Sequence, residues 1–366
     1  MSANTDAIGL PVEELETPAL CLDIEVYGRN VGRIRDFLAP HGLGWRPHMK
    51  GQKAPELARE ALAQGAIGVT CATLYEAETM LGAGVTGVLI AHEIAGARKL
   101  RRLARLAKVH PGALLAATDS MAHAAAMNEA ALAEGTAIET VAEVNVGMNR
   151  CGVAAGEAAV ELARAVAGMP GLRFAGVMGW EGHTVPMEGE AKGAAVGESC
   201  RLLNETAEMM RAAGLAVGIV SASGSGTFRQ SAGQPGLTEV QAGGGVFCDL
   251  SYRKWGLDHE FALTVLTRVV SRPSAKRAIV DAGFKTMSVQ HGLPQPLGIE
   301  AVGISLSAEH GTVDLAAPSE RPAYGETVRW APGYTDSTVC LHDEMCVVRN
   351  GLLEAVWAIP GRTGRR

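Results

Sequence analysis

Aromatic side chains are scarce in this 366-residue sequence, where Phe, Trp and Tyr together make up 4%. No run of about 18 apolar residues occurs, so no membrane-spanning helix is expected. The opening MSANTDAIGLPVEELETPAL lacks a basic stretch followed by an apolar one, so no secretory signal is expected there. The seven cysteines show no CxxC spacing, which argues against a disulfide framework and for buried thiols in a reducing cytoplasm. Positive charge is not in excess: a net charge of −6 leaves no footprint for nucleic acid. Internal repeats and low-complexity segments are missing too.

Small and apolar residues are plentiful, with 45 glycines and 47% apolar content, enough for a full core and for more than one domain. After a strand-like segment at 18–26, a β-then-α alternation begins. Strand-like runs fall at 43–48, 66–71, 86–91, 113–117, 138–146, 172–179, 216–222 and about 237–242. Helical stretches lie at 27–40, 55–64, 73–83, 96–108, 119–134, 155–168 and 193–214, and Asp119 and Ser120 are candidate N-caps. Continuous apolar strands alternating with helices argue for parallel pairing, and eight of them for a (β/α)8 TIM-type barrel over 27–255, with a doubly wound open sheet as the alternative. Residues 256–366 change character, with short alternating runs punctuated by Gly and Pro. They read as a β-rich domain into which the segment 1–26 is expected to pair.

The most unusual stretch is Arg46-Pro47-His48-Met49-Lys50-Gly51-Gln52-Lys53, which crowds three cations and a histidine behind the first barrel strand. A lysine at the carboxyl end of a buried strand can be desolvated, which favours the neutral amine and makes it a nucleophile toward carbonyls. In a barrel of this kind function lies at the carboxyl ends of the strands. Those ends carry Lys50, Cys71-Ala72-Thr73, His92-Glu93, Asn145 to Arg150, Trp180-Glu181-Gly182-His183, Ser223-Gly224-Ser225-Gly226-Thr227 and Gly243-Gly244-Gly245. The last two offer backbone N–H groups and hydroxyls suited to a phosphate, in the loops where barrels often bind one. A reactive lysine in register with a phosphate nest implies a phosphorylated aldehyde cofactor, and pyridoxal 5'-phosphate fits.

These residues resemble the fold-type III pyridoxal-phosphate enzymes, and within them the D-threonine aldolase and D-serine dehydratase group. The likeness includes RPHMKGQK at 46–53, EVNVGMNRCGV at 143–153, GSGT at 224–227, TEVQAGGGVFCDLSYRK at 238–254 and PGYTDSTVCLHDE at 332–344. The resemblance implies that Lys50 is the Schiff-base lysine and that Arg150 bonds the cofactor's phenolic oxygen. Ser225, Gly226, Thr227, Gly244 and Gly245 fall where the family holds the phosphate, and His183 where groups lie over the cofactor ring. Three positions depart from the pattern. Gln52 replaces a second histidine, and Asn145 replaces an aspartate. In the family's metal-binding PxHxC or PxHxD segment Tyr334 stands at the histidine position, leaving Asp336 as the retained ligand for a divalent metal (Mn, Zn or Mg).

The resemblance implies an amino-acid substrate and retro-aldol cleavage of a D-β-hydroxy amino acid to glycine and an aldehyde, with His183, Tyr334 or a metal-activated group near Asp336 as base. The alternatives are β-elimination to a keto acid and ammonia, racemisation by Lys50 and Tyr334, and a binding-only role in handling the cofactor. Trp180, Met187 and Trp330 are candidates to shape the side-chain pocket. A cytoplasmic homodimer completes the expectation, without nucleic-acid or membrane partners.

Overall fold

A computed structural model describes residues 4–362. The described residues form two compact units, one built from 33–50 and 55–243, the other from 4–32, 51–54 and 244–362.

In the first unit, the strands Gly44–Trp45, Val69–Cys71, Val88–Ile90, Leu114–Thr118, Ile138–Asn145, Leu172–Met178, Ile219–Ala222 and Glu239–Val240 follow one another around a curled sheet. All the neighbouring strand pairs from second to eighth are parallel. The eighth pairs in parallel with the first, and a His48–Thr70 bridge joins first to second, so the ring closes. This is the expected (β/α)8 barrel. A two-residue strand, Val153–Ala154, pairs beside the fifth.

The helices form because their apolar positions recur at helical spacing. In Ala97–Val109 the buried residues are Leu100, Leu103, Ala104 and Ala107, with arginines and lysines between them. Each leucine so buried contributes about 1.5–3 kcal/mol. Thr73 accepts from the Glu76 N–H at 3.1 Å and Ser120 from the His123 N–H at 3.3 Å, capping the helices Leu74–Gly82 and Met121–Glu134. Gly135, at φ 67°, ends the second of these. The abundance of alanine on such faces explains how a core poor in aromatics still packs densely.

The second unit is β-rich. Its central strand, Leu263–Ser274, pairs antiparallel with Ala19–Asp23, Arg277–Val280 and Thr327–Ala331. Ala19–Asp23 also pairs in parallel with Glu344–Arg349, which forms a hairpin with Leu352–Ala358. Ala301–Leu306, Gly311–Leu315 and the short Gln295–Pro296 complete this sheet. Beneath it Val12, Leu15, Cys21, Leu266, Val348 and Leu353 make one apolar cluster. The PGYTDS segment, which carries no helical pattern in the sequence, forms a single turn of helix at Thr335–Thr338. All seven cysteines are free thiols. No helix among the described residues is long and apolar enough to cross a membrane.

Candidate active site

Because the barrel strands run parallel, Lys50, Arg150, His183 and the 225–227 loop all follow carboxyl ends on one rim. The first strand is anchored on both sides. Gly44, Arg46 and His48 donate N–H bonds to Thr238, Val240 and Gln241, while Ile67 and Thr70 donate to Trp45 and Pro47. The Trp45 indole N–H reaches the Ala242 carbonyl at 2.7 Å. A Cβ at Gly243 would stand 2.1 Å from the His48 carbonyl oxygen, so the GGG segment opens on glycine because the RPH backbone passes against it. Lys50 comes next in the chain, half-buried in the turn Met49–Gly51, and its N–H donates to His48 Nδ1 at 3.3 Å.

Asn145, at the end of the fifth strand, organises the loop that carries Arg150. Its Oδ1 accepts the N–H groups of Gly147 (3.0 Å) and Asn149 (3.1 Å), and its Nδ2 donates to Asn149 Oδ1 at 2.9 Å. An aspartate could accept the two N–H bonds but could not donate the third, which gives the departure at this position a local structural role. His183 lies against this loop: a Cβ at Gly147, whose φ is 118°, would meet the imidazole at 2.7 Å. His183 Nδ1 is buried and has no hydrogen-bond partner. A buried imidazole nitrogen without a partner is costly unless a ligand supplies one.

The seventh-strand loop is a tight turn. Thr227 and Phe228 both donate N–H bonds to the Gly224 carbonyl at 3.0 Å, and a Cβ at Gly224 would stand 2.6 Å from the Trp180 ring. The Gly226 N–H makes no hydrogen bond among the described residues. Trp180 is thereby a support for this loop, Met187 is exposed, and Trp330 is buried in the β-rich unit, where its N–H donates to Thr267 Oγ1 at 3.0 Å.

One acidic residue beside this rim, Glu143, was given no role from sequence. Glu143, 4% exposed within the apolar fifth strand, has its carboxyl pushed up to about 8, first by burial and then by the charge and hydrogen bonding of Glu93, with Arg150 pulling the other way. Glu93, Asp119 and Cys151 bring their ligand atoms within 4.8 Å of one another. Burial and Glu93 push the Cys151 thiol up to about 11, so it is a neutral thiol near pH 7. The signal that could have found Glu143 is an acidic residue inside the continuous apolar run IETVAEVNV.

Gly244, Gly245, Tyr334 and Asp336 belong to the β-rich unit. A Cβ at Gly244 would collide with the Tyr252 hydroxyl at 2.0 Å, and the Gly245 carbonyl bonds His259 Nδ1 at 2.8 Å. Asp249 ties the region together. Its Oδ1 accepts the Tyr252 N–H at 2.8 Å and its Oδ2 accepts both the N–H and the hydroxyl of Thr335 at 2.7 Å. Asp336 accepts the hydroxyls of Tyr334 (3.0 Å) and Tyr252 (3.4 Å). Burial, then the Asp336 charge, holds the Tyr334 phenol well above its ordinary value. The two tyrosines pack with Trp255 and His291, the His291 and Tyr334 rings meeting edge-on at 4.8 Å.

Protonated phenols are poor ligands, and no group of three metal-ligating side chains among the described residues includes Asp336. The donor set at Asp336 therefore does not fit the divalent metal that the family segment implies.

A closed parallel barrel with a lysine behind its first strand and a glycine-rich turn behind its seventh is the architecture of a barrel enzyme with a rim site. Residues 23–250 match the family model described as the alanine racemase N-terminal domain, and the chain belongs to that family. Residues 262–348 match a model described as a putative serine dehydratase domain. The chain is similar to a D-threonine aldolase from Arthrobacter sp., 31% identical over 97% of this chain and 94% of that protein. It is also similar to a 3-hydroxy-D-aspartate aldolase from Paracoccus denitrificans, 32% identical over 97% and 94%. A crystal structure of D-threonine aldolase from Filomicrobium marinum superposes with a TM-score of 0.94 at 33% identity, covering 99% of both chains.

Proposed function

We propose that this chain is a pyridoxal-phosphate-dependent lyase that cleaves a D-configured β-hydroxy amino acid, of the D-threonine or 3-hydroxy-D-aspartate kind, to glycine and an aldehyde. The observation that carries this reading is the end-to-end likeness to two aldolases, beside the lysine, arginine and phosphate-loop motifs of the chain's own sequence. The partnerless Gly226 N–H and the orphaned His183 Nδ1 support a cofactor on this rim.

In this reading Lys50 would hold the cofactor through its Nζ, Arg150 would bond its phenolic oxygen, and Ser225 and Gly226 would hold its phosphate. When bound, the cofactor supplies an electron sink for the charge left at Cα. His183 takes the proton of the substrate's β-hydroxyl at Nδ1, the Cα–Cβ bond breaks as the new carbonyl forms, and Cα is reprotonated to give glycine. The Tyr334 hydroxyl donates to Asp336 and is held protonated, which leaves it unsuited to be the base that racemisation needs. A homodimer in the cytoplasm belongs to the same reading.

The test is to assay D-threonine and 3-hydroxy-D-aspartate for aldehyde, with and without EDTA and added manganese. Aldehyde release indifferent to EDTA is expected, because the Asp336 donors suit phenols rather than a metal. Release abolished by EDTA and restored by manganese would overturn the metal-free part. Keto acid without aldehyde would favour dehydration, the reading that the match of residues 262–348 supports.

A further inference from the structure

Glu181 is 1% exposed, three residues after the sixth strand, and the sequence placed it at a strand end without giving it a role. Its carboxylate is spent on the seventh-strand loop. Oε1 accepts the Thr227 hydroxyl at 2.6 Å, and Oε2 accepts the Ser223 N–H at 3.3 Å. Ser223 is a non-glycine residue at φ 68°, a conformation that needs outside support. Thr227 Oγ1 in turn accepts the Gly224 N–H at 3.2 Å. Its proton is therefore committed to Glu181 and its oxygen to Gly224. The expectation that Thr227 faces the phosphate with its hydroxyl is replaced by a different division of labour. Trp180 and Glu181 brace the turn from one side, leaving the Gly226 N–H as the donor available to an anion.

We propose that Glu181 is a positioning residue for the cofactor phosphate: by fixing Ser223 and the Thr227 hydroxyl, it holds the 224–227 turn in the geometry that presents the Gly226 N–H. The proposal rests on the pyridoxal-phosphate reading above. A buried carboxylate without its donors, or donors without their carboxylate, is costly, so the turn and Glu181 form one unit. Gln at 181 cannot accept both bonds with its two side-chain atoms, because one of them is an NH2 donor.

The experiment compares binding of pyridoxal 5'-phosphate and of pyridoxal, which lacks the phosphate, to the full chain freed of cofactor. Glu181→Gln and Thr227→Val are each expected to weaken pyridoxal-phosphate binding roughly tenfold, the scale of one buried hydrogen bond lost. Pyridoxal binding should be unchanged in both, the double variant no worse than either single, and Thr227→Ser should restore tight binding. Should Glu181→Gln fail to fold, Thr227→Val and Thr227→Ser carry the same comparison. Equal losses for the two ligands would mean a merely structural carboxylate and would overturn the proposal, as would wild-type affinity in Thr227→Val. A wild-type protein that does not distinguish the two ligands sinks the cofactor reading itself, and the proposal with it.

Discussion

Arg46→Met should destabilise the barrel strongly, and the amount follows from what the guanidinium touches. Arg46 Nε and Nη2 each lie 2.8 Å from a carboxylate oxygen of Glu239, joining the first strand to the eighth, and Nη1 donates to the Gly87 carbonyl. Both side chains are buried, at 8% and 3% exposure. The surroundings are shaped for this group: a Cβ at Gly68 would stand 2.5 Å from Nη1. The first and eighth strands pair over only two residues, and the ion pair adds to the backbone bonds and the Trp45 indole bond that cross the same seam. Removing one partner of a buried ion pair costs about 3–5 kcal/mol, because the remaining charge is left in the core. In a unit of this size each kcal/mol moves the melting midpoint by about 2–4 °C, so a fall of about 6–20 °C is expected. Thermal unfolding followed by circular dichroism at fixed pH measures it. Arg46→Met with Glu239→Leu should recover most of the loss, since an apolar pair of similar volume replaces a buried ion pair at little cost. A single variant within about 1 kcal/mol of wild type, or a double variant as unstable as the single, would refute the reasoning.

Lys50→Ala should abolish both the visible absorption of bound cofactor and aldehyde formation, with the fold kept; an unchanged spectrum would remove Lys50 from its role. Asn145→Ala deletes the acceptor of two backbone N–H bonds at a half-exposed loop. A loss of about 1 kcal/mol in denaturant titration and weaker cofactor retention are expected. Glu143 titrates at about 8 in the fold against an ordinary 4.5, so the folded state binds more protons between those values. The stability this confers is fully present below about 4.5 and is lost as pH rises through about 8. Glu143→Gln should flatten that decline in a series of melting midpoints against pH, whereas parallel curves would show that Glu143 does not titrate there.

The barrel was readable because each strand is a short continuous apolar run and each helix repeats at its own period, so strand number and parallel pairing followed from the pattern. The β-rich unit was readable as a class, but not in its strand order, because antiparallel neighbours far apart in sequence leave no periodic trace. Lys50 stood out through the density of cations around it, and Arg150 through the family resemblance of its segment. Glu181, Glu143 and the Arg46–Glu239 pair did not, since a lone carboxylate looks the same in sequence whether it meets water or a buried donor. What would have flagged them is context: an acid within or just behind a buried strand must find a proton or a partner. Tyr334 was noticed as a departure, yet only the bonds it and Tyr252 make to Asp336 explain why that carboxylate suits phenols.

The most direct measurement of the central claim is proton NMR of the products formed from D-threonine by the cofactor-loaded protein, with L-threonine as the control. Glycine and acetaldehyde appearing one to one, from the D form only, is the result predicted. Contradiction would come as 2-oxobutanoate and ammonia, as inversion at Cα without cleavage, or as equal turnover of both enantiomers.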